Sequence, residues 1–501
     1  MKLSPFVMSL LTAAVIYAPS ANAAPSFESS SSSIAISEAV NGEAIAFIKA
    51  EKGKLDSGFT ISVEKISDAD LDRLCSAFPD IEKLTIDDEG KLTSLAPLAK
   101  LTKLTEFDGN ELHGVKDFSP LAGLNGLTSL AVESEGMTGD LKWMSGLAKL
   151  ENIEIKAENL TSFEGIPSLP SLTEASFHRA APADLTPLVK SLPALTELDL
   201  SYCKIADFTP LAGLADLEYL NLYGATVKDF SPLAQSPKLD KVTYYAVKGA
   251  DFSTLGALKQ VTELDGGLTQ LADLAWIADM PRLRVFDLFS EHVTDYSPLA
   301  KTNIEKLTIW SMKKPVGDLA AIGHMPKLRE LKLWTVEGAS NSAALAGLAA
   351  LETFVISGDF NKKGGEAFDL AAASGWAKVK KIDIQGTDVV NADKAGALPS
   401  LEQLSIRKVN QRSGNPFSLA AFGKAAALKN VTIDDCAVAD FAALAGCAAL
   451  ERVKISKVKG VTGIDALKKC PNLKNIDISK CPDIPDSALS GFDSKVKIRK
   501  R

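Results

Sequence analysis

The 501-residue sequence is poor in the groups that usually carry chemistry. It has four histidines, His113, His178, His292 and His324, and none has a second histidine at metal-ligand spacing. Its six cysteines include no C-x-x-C pair, so a zinc knuckle or a thioredoxin-like centre is unsupported. There is no H-E-x-x-H, no G-x-S-x-G, no phosphate-binding glycine loop and no dinucleotide fingerprint. The sequence therefore predicts no catalytic residue, no metal and no cofactor; it does not read as an enzyme. Positive charge is also short: 55 Lys and Arg against 63 Asp and Glu leave a net charge of −8. A nucleic-acid partner needs a basic stripe, and none is present. Beyond the N-terminus no apolar run is long enough to cross a bilayer. Aromatic residues make up only 7% of the chain, so where they gather is informative.

The N-terminus supplies the first positive signal. Lys2 precedes a mostly apolar stretch from Leu3 to Ala18, and Ala21-Asn22-Ala23 offers the small residues of a cleavage site. This predicts a secretory signal peptide over 1–23, cut between Ala23 and Ala24. The leader holds one lysine and no acid, so the mature chain carries −9. The expected location is secreted or periplasmic. A Ser-rich stretch, 24–36, is expected to be disordered. An N-terminal cap is expected over 37–80, with a helix from Glu38 to Lys52, a strand from Phe59 to Val63, and a second helix capped by Ser67 and running to Phe78.

The rest of the chain repeats. Leu195, Leu198 and Leu200 are followed 22 residues later by Leu217, Leu220 and Leu222. Gaps of three and two suit a short strand with alternate residues turned inward. The triplets recur with middle members Leu84, Phe107, Leu130, Ile153, Ala175, Leu198, Leu220, Val242, Leu264, Phe286, Leu307, Leu331, Phe354, Ile382, Leu404, Val431, Val453 and Ile476. One coil cannot bury its leucines alone, whereas stacked coils bury them against each other. Phe354 to Ile382 and Leu404 to Val431 are longer steps and read as loop insertions, at Asn361–Gly365 and Asn410–Pro416.

Asp207-Phe208-Thr209-Pro210-Leu211-Ala212 and Asp229-Phe230-Ser231-Pro232-Leu233-Ala234 close two of these units. Together with the leucine triplets they resemble a bacterial leucine-rich repeat of the internalin-like type. The resemblance implies an α/β solenoid, a right-handed superhelix of about 18 repeats of ~22 residues over 81–480. It implies a horseshoe or arc with a parallel sheet on the concave face and short helical or 3-10 returns on the convex face. A C-terminal cap follows at 481–501. Ser231 is expected to cap its return, with Pro232 at the first position. The family usually places Asn five residues after the middle member. None of the eighteen units here does, so packing and backbone bonds must hold the turns. Cys203, Cys436 and Cys481 occupy that slot and read as small buried apolar groups. Cys447 and Cys470 sit at equivalent places in adjacent coils, which leaves a bridge between them open.

The outward strand positions carry the functional signal. Three residues after the middle member, the column holds His178, Tyr223, Tyr245, Phe289, Trp310 and Trp334. Tyr219 stands one column away, beside Asp199, Asn221, Asp265 and Asp287. Gly267 interrupts the stripe and suggests a gap that a ligand group could enter. These rings either pack on one another or form a binding surface. As a surface they fit a protein partner, a host or cell-surface receptor by the internalin resemblance, or a glycan stacked on the rings. A structural envelope or matrix role is the third reading.

Overall fold

The computed structural model describes residues 27–501 apart from 31–32, 38, 56–57, 139, 206, 268–269, 311–317, 335–339, 359–366, 411–412 and 439. The leader, its cleavage site and the Asn361–Gly365 insertion lie outside the described residues. The chain divides into two compact units, 1–134 and 135–501.

In the first unit, β1 (Phe27–Ser29) pairs antiparallel with β2 (Ile34–Ile36). Residues 27–29 and 34–36 are thus strands within the stretch expected to be disordered. Ile34 and Ile36 are buried and anchor the hairpin, an alternation too short to stand out beside five consecutive serines. β3 (Thr60–Glu64), β4 (Lys83–Asp87), β5 (Glu106–Asn110) and β6 (Ser129–Glu133) continue in parallel from β2. The helix Gly42–Glu51 is capped by the Asn41 side chain. The helix Asp68–Ala77 has the expected Ser67 cap, closed into a capping box by Asp70.

The second unit is one parallel ladder. Its strands are β7 (Asn152–Lys156), β8 (Glu174–His178), β9 (Glu197–Asp199), β10 (Tyr219–Asn221), β11 (Lys241–Thr243), β12 (Glu263–Gly267), β13 (Val285–Phe289), β14 (Lys306–Trp310), β15 (Glu330–Trp334) and β16 (Thr353–Ser357). A short pair, β17 (Phe368–Asp369) and β19 (Val389–Val390), flanks β18 (Lys381–Gln385) in the chain and forms its own small sheet. The ladder ends with β20 (Gln403–Arg407), β21 (Asn430–Asp434), β22 (Arg452–Ser456), β23 (Asn475–Ser479) and β24 (Lys497–Lys500). Each of the eighteen predicted middle residues is the second residue of a strand. Leu198, Leu220, Val242, Leu264 and Phe286 lie in register and are buried, which closes the core one coil at a time.

Most returns are short 3-10 turns rather than α-helices. Their cap differs from the expected one. The Ser231 N–H donates to Asp229 Oδ1 at 2.7 Å, and Ser231 provides no side-chain cap. The same bond recurs from Thr209 to Asp207 and from Ser297 to Asp295, both at 2.8 Å. In the Asp273 coil an alanine, Ala275, donates it at 2.7 Å. The aspartate is therefore the capping residue, and the hydroxyl is optional. Hydrogen bonds to the ionised carboxylate, from the Thr209 hydroxyl and amide at Asp207 and from the amides and hydroxyls of Ser231 and Ser297 at Asp229 and Asp295, hold all three below the ordinary carboxylate range.

The slot that lacks asparagine is filled by buried small groups, among them Ala180, Cys203, Ala225, Val247 and Cys481. The residue before it turns left-handed in many coils, at Arg179, Tyr202, Gly224, Ala246 and Lys480. That turn aims its N–H at the next coil. Tyr202 N donates to Tyr223 O at 2.6 Å, Gly224 N to Tyr245 O at 2.7 Å, and Ala246 N to Gly267 O at 2.7 Å. Main-chain bonds thus replace the amide ladder. Two side-chain rows add to them. Thr105, Thr128, Thr173 and Thr196 each donate a hydroxyl to a carbonyl of the preceding coil. Farther along, Glu352 pairs with Arg329 and Lys380, Glu402 with Lys429, and Glu451 with Lys474.

All six cysteines are buried free thiols, and Cys447 and Cys470 are not bridged. Their Sγ atoms instead lie 3.4 Å from the carbonyls of Phe422 and Leu444. Burial pushes the thiols of Cys75, Cys203 and Cys436 up to about 12, which keeps them protonated and unreactive. A thiol titration of the unfolded, unreduced protein should return a value near six. Reducing agent should leave the melting temperature unchanged. A count near four, with a large thermal loss on reduction, would require a bridge.

Candidate functional site

The site is the outward face of strands β8 to β15. Strand alternation puts three columns there: the first residue of each strand, the third and the fifth. The fifth-position rings form two runs. In the first, His178 meets Tyr202 edge-on with ring centroids 5.0 Å apart, Tyr202 lies 5.2 Å from Tyr223, and Tyr223 lies 6.4 Å from Tyr245. In the second, Phe289 meets Trp310 edge-on at 4.8 Å, and Trp310 lies 6.5 Å from Trp334.

Tyr202 is absent from the sequence-derived column, yet it is the most exposed ring of the first run, at 44%. It sits one residue beyond the column, in the left-handed turn position with φ 59°. That turn swings its side chain back over the sheet. Gly224, the equivalent residue of the next coil, makes room for it: a Cβ there would meet the Tyr202 ring at 2.7 Å. An aromatic followed one repeat later by glycine at the same turn position was the readable signal.

The Gly267 gap does not exist. A Cβ on Gly267 would lie 2.0 Å from Phe289 Cβ, so Phe289 itself fills the space. Phe289 was expected to be exposed and is only 7% accessible, covered by Trp310. Asp199 and Asn221 are also only 7% accessible. Asn221 Nδ2 donates to Asp199 Oδ2 at 2.7 Å, and the Ser201 and Tyr223 amides return to these side chains at 2.7 and 3.1 Å. This pair ties β9 to β10 beneath the rings. Tyr219 lies half-buried, with its hydroxyl 3.2 Å from Thr243 Oγ1 and Lys241 5.5 Å over its ring.

The electrostatics of the face are acidic. Burial pushes Asp199, Asp265 and Asp287 upward, Asp265 to about 6, where the adjacent Asp287 charge adds to the effect. Glu197 is raised by burial and by the charges of Glu174 and Glu218. His178 is pushed down to about 4 by burial and by Arg179 and Lys156, so at neutral pH it is an uncharged ring. Its Nδ1 is buried without a hydrogen-bond partner.

Asp265 therefore acts against stability at neutral pH. Its folded pKa of about 6 exceeds an unfolded value of about 3.9, so the folded state holds the extra proton between those pH values. Stability should fall as pH rises through that window. At pH 7, Asp265→Asn should raise stability by on the order of 2 kcal/mol, read as a higher denaturant midpoint; a lower midpoint would contradict the burial argument.

No group of three or more metal-ligating side chains gathers among the described residues. No described helix is long and apolar enough to cross a membrane.

Comparison with known proteins agrees with this architecture. A model of paired leucine-rich repeats matches residues 193–235. No curated protein matches the chain. Among solved structures, the Toll receptor of Drosophila in its complex with Spatzle is 12% identical, with a TM-score of 0.51, over 91% of this chain and 65% of that one. An internalin from Listeria monocytogenes is 23% identical, with a TM-score of 0.44, over 57% of this chain and 82% of that one. A leucine-rich-repeat protein from Leptospira interrogans is 12% identical, with a TM-score of 0.49, over 85% and 97%. With parallel strands and 3-10 returns at the predicted period, and a leucine-rich-repeat model matched over residues 193–235, the chain has the leucine-rich-repeat fold.

Proposed function

We propose that this is an exported binding protein that takes hold of another protein on the outward face of strands β8 to β15. One observation carries the reading. Among the described residues three large apolar side chains stand exposed: Tyr202 at 44%, Trp310 at 42%, and Val390 on the return side. Two of the three belong to the ring runs of one sheet face. A stable fold gains nothing from leaving them in water, whereas an interface uses such rings as anchors at small rotamer cost. The Toll structure named above is itself a complex with a protein, Spatzle.

Ring orientation favours protein over glycan. A sugar stacks on an open ring face, whereas His178 and Tyr202, and Phe289 and Trp310, meet edge to face. Such runs offer ridges and slots that side chains can fill. The test is capture of partners by the immobilised chain from extracellular fluid, run beside a glycan array, with wild type and Trp310→Ala/Trp334→Ala compared. Protein capture that the double substitution abolishes supports the reading. Glycan binding without protein capture would overturn it.

A further inference from the structure

The same face carries like charges opposite one another. Asp265 on β12 and Asp287 on β13 are in-register partners, about 4.8 Å apart across the sheet. Glu197 on β9 is in register with Glu174 on β8. Like charges so placed destabilise a sheet. Lys241 pairs with Glu263 at 2.5 Å, Lys156 with Glu154 at 3.1 Å, and Lys332 with Glu330, and the charges of Lys241 and Lys332 offset only part of the repulsion at Asp265 and Asp287. The face is thus acidic where its own charges meet, and exposed rings border the acids. A guanidinium or ammonium group satisfies both, bonding a carboxylate while lying against a tyrosine.

We propose that the occupant of this face is an extended, arginine- or lysine-bearing segment of a partner protein, its cations seated among Glu197, Asp265 and Asp287 and against Tyr202 and Tyr223. This rests on the protein-binding reading above. Geometry sets the spacing of the cations. From Glu197 to Asp265 is three strand steps across the sheet and two residues along it, or about 16 Å, which about five residues of extended chain span. Basic residues on alternate positions therefore meet the acids from one side.

The probe is a fluorescein-labelled peptide of alternating arginine and serine, read by fluorescence anisotropy against the folded mature chain, with a glutamate-serine peptide as control. The basic peptide should bind, and salt should weaken it. Asp265→Asn/Asp287→Asn should weaken it at least about tenfold. That variant removes buried like charges, so it should fold at least as well as wild type. Asp229→Asn/Asp251→Asn removes the same charge from the returns and keeps a side-chain oxygen for each cap; it should leave affinity unchanged. Equal loss in both double variants, or equal binding of the acidic peptide, overturns the proposal. Concentration-dependent self-association by sedimentation, weakened by the same Asp265→Asn/Asp287→Asn variant, also overturns it, because the occupant is then a second copy. If partner capture is lost with Trp310→Ala/Trp334→Ala but unmoved by Asp265→Asn/Asp287→Asn, the face binds protein and only the basic-segment proposal fails. If neither variant moves capture, both fail.

Discussion

Gly266→Ala is expected to cost about 3 kcal/mol of stability, near the upper end for overpacking a core. A Cβ at that position would lie 2.1 to 2.3 Å from three atoms of the Tyr244 ring. The ring cannot retreat, because Tyr244 is completely buried and packs 6.4 Å from Phe230 and 6.1 Å from Phe252. Its hydroxyl is buried without a hydrogen-bond partner, so any shift that exposes it to a donor or acceptor offsets part of the cost. Tyr244→Leu should open a cavity by itself, but combined with Gly266→Ala the two losses should add to less than their sum, since the new methyl enters the vacated space. Urea unfolding of the four proteins measures this. A Gly266→Ala variant within about 0.5 kcal/mol of wild type would show that the ring has another place to go.

The two neighbouring glycines also mark what the sequence concealed. Period and leucine spacing located eighteen strands, β4 to β16, β18 and β20 to β23, because burial forces the same inward residues at the same places in each coil. The Ser-rich label hid the β1–β2 hairpin, which rests on only two buried isoleucines. The glycines at 266 and 267 break the triplet pattern without breaking the strand. They do so because Tyr244 occupies the inside of the sheet and Phe289 the outside at that point, a relation between adjacent coils that a single repeat does not show. The site was half legible for the same reason. Strand alternation found the fifth-position column and its rings. It missed Tyr202, which a left-handed turn carries back over the sheet, and it overstated the exposure of Phe289, Asp199 and Asn221, which neighbouring coils cover. The capping serine was misread because Asp and Ser recur together. The coils in which Ala275, Ala320, Ala371 and Ala442 donate the bond separate them.

The ring runs give the sharpest functional expectation. Trp310→Ala/Trp334→Ala should weaken binding of a captured partner by at least about 2 kcal/mol, or about 30-fold in Kd, if Trp310 is an anchor of the interface. Trp310 and Trp334 are in-register partners on β14 and β15, so the substitution removes two adjacent rings from one patch. The folded state should lose only about 1 kcal/mol. Trp310 is 42% exposed, and besides Trp334, which goes with it, its ring contact is the edge-to-face pair with Phe289, an arrangement worth about 1 kcal/mol beyond area burial. The contrast with Phe289→Ala separates anchor from support. Phe289 is 7% accessible and fills the space over Gly267, so its loss should act mainly on stability, by about 3 kcal/mol, as core truncations do. Affinity and denaturant midpoint measured on both variants decide the matter. A Trp variant that melts several kcal/mol early while its folded fraction binds normally would make the rings core rather than surface, and the protein-binding face would have to be sought elsewhere on the chain.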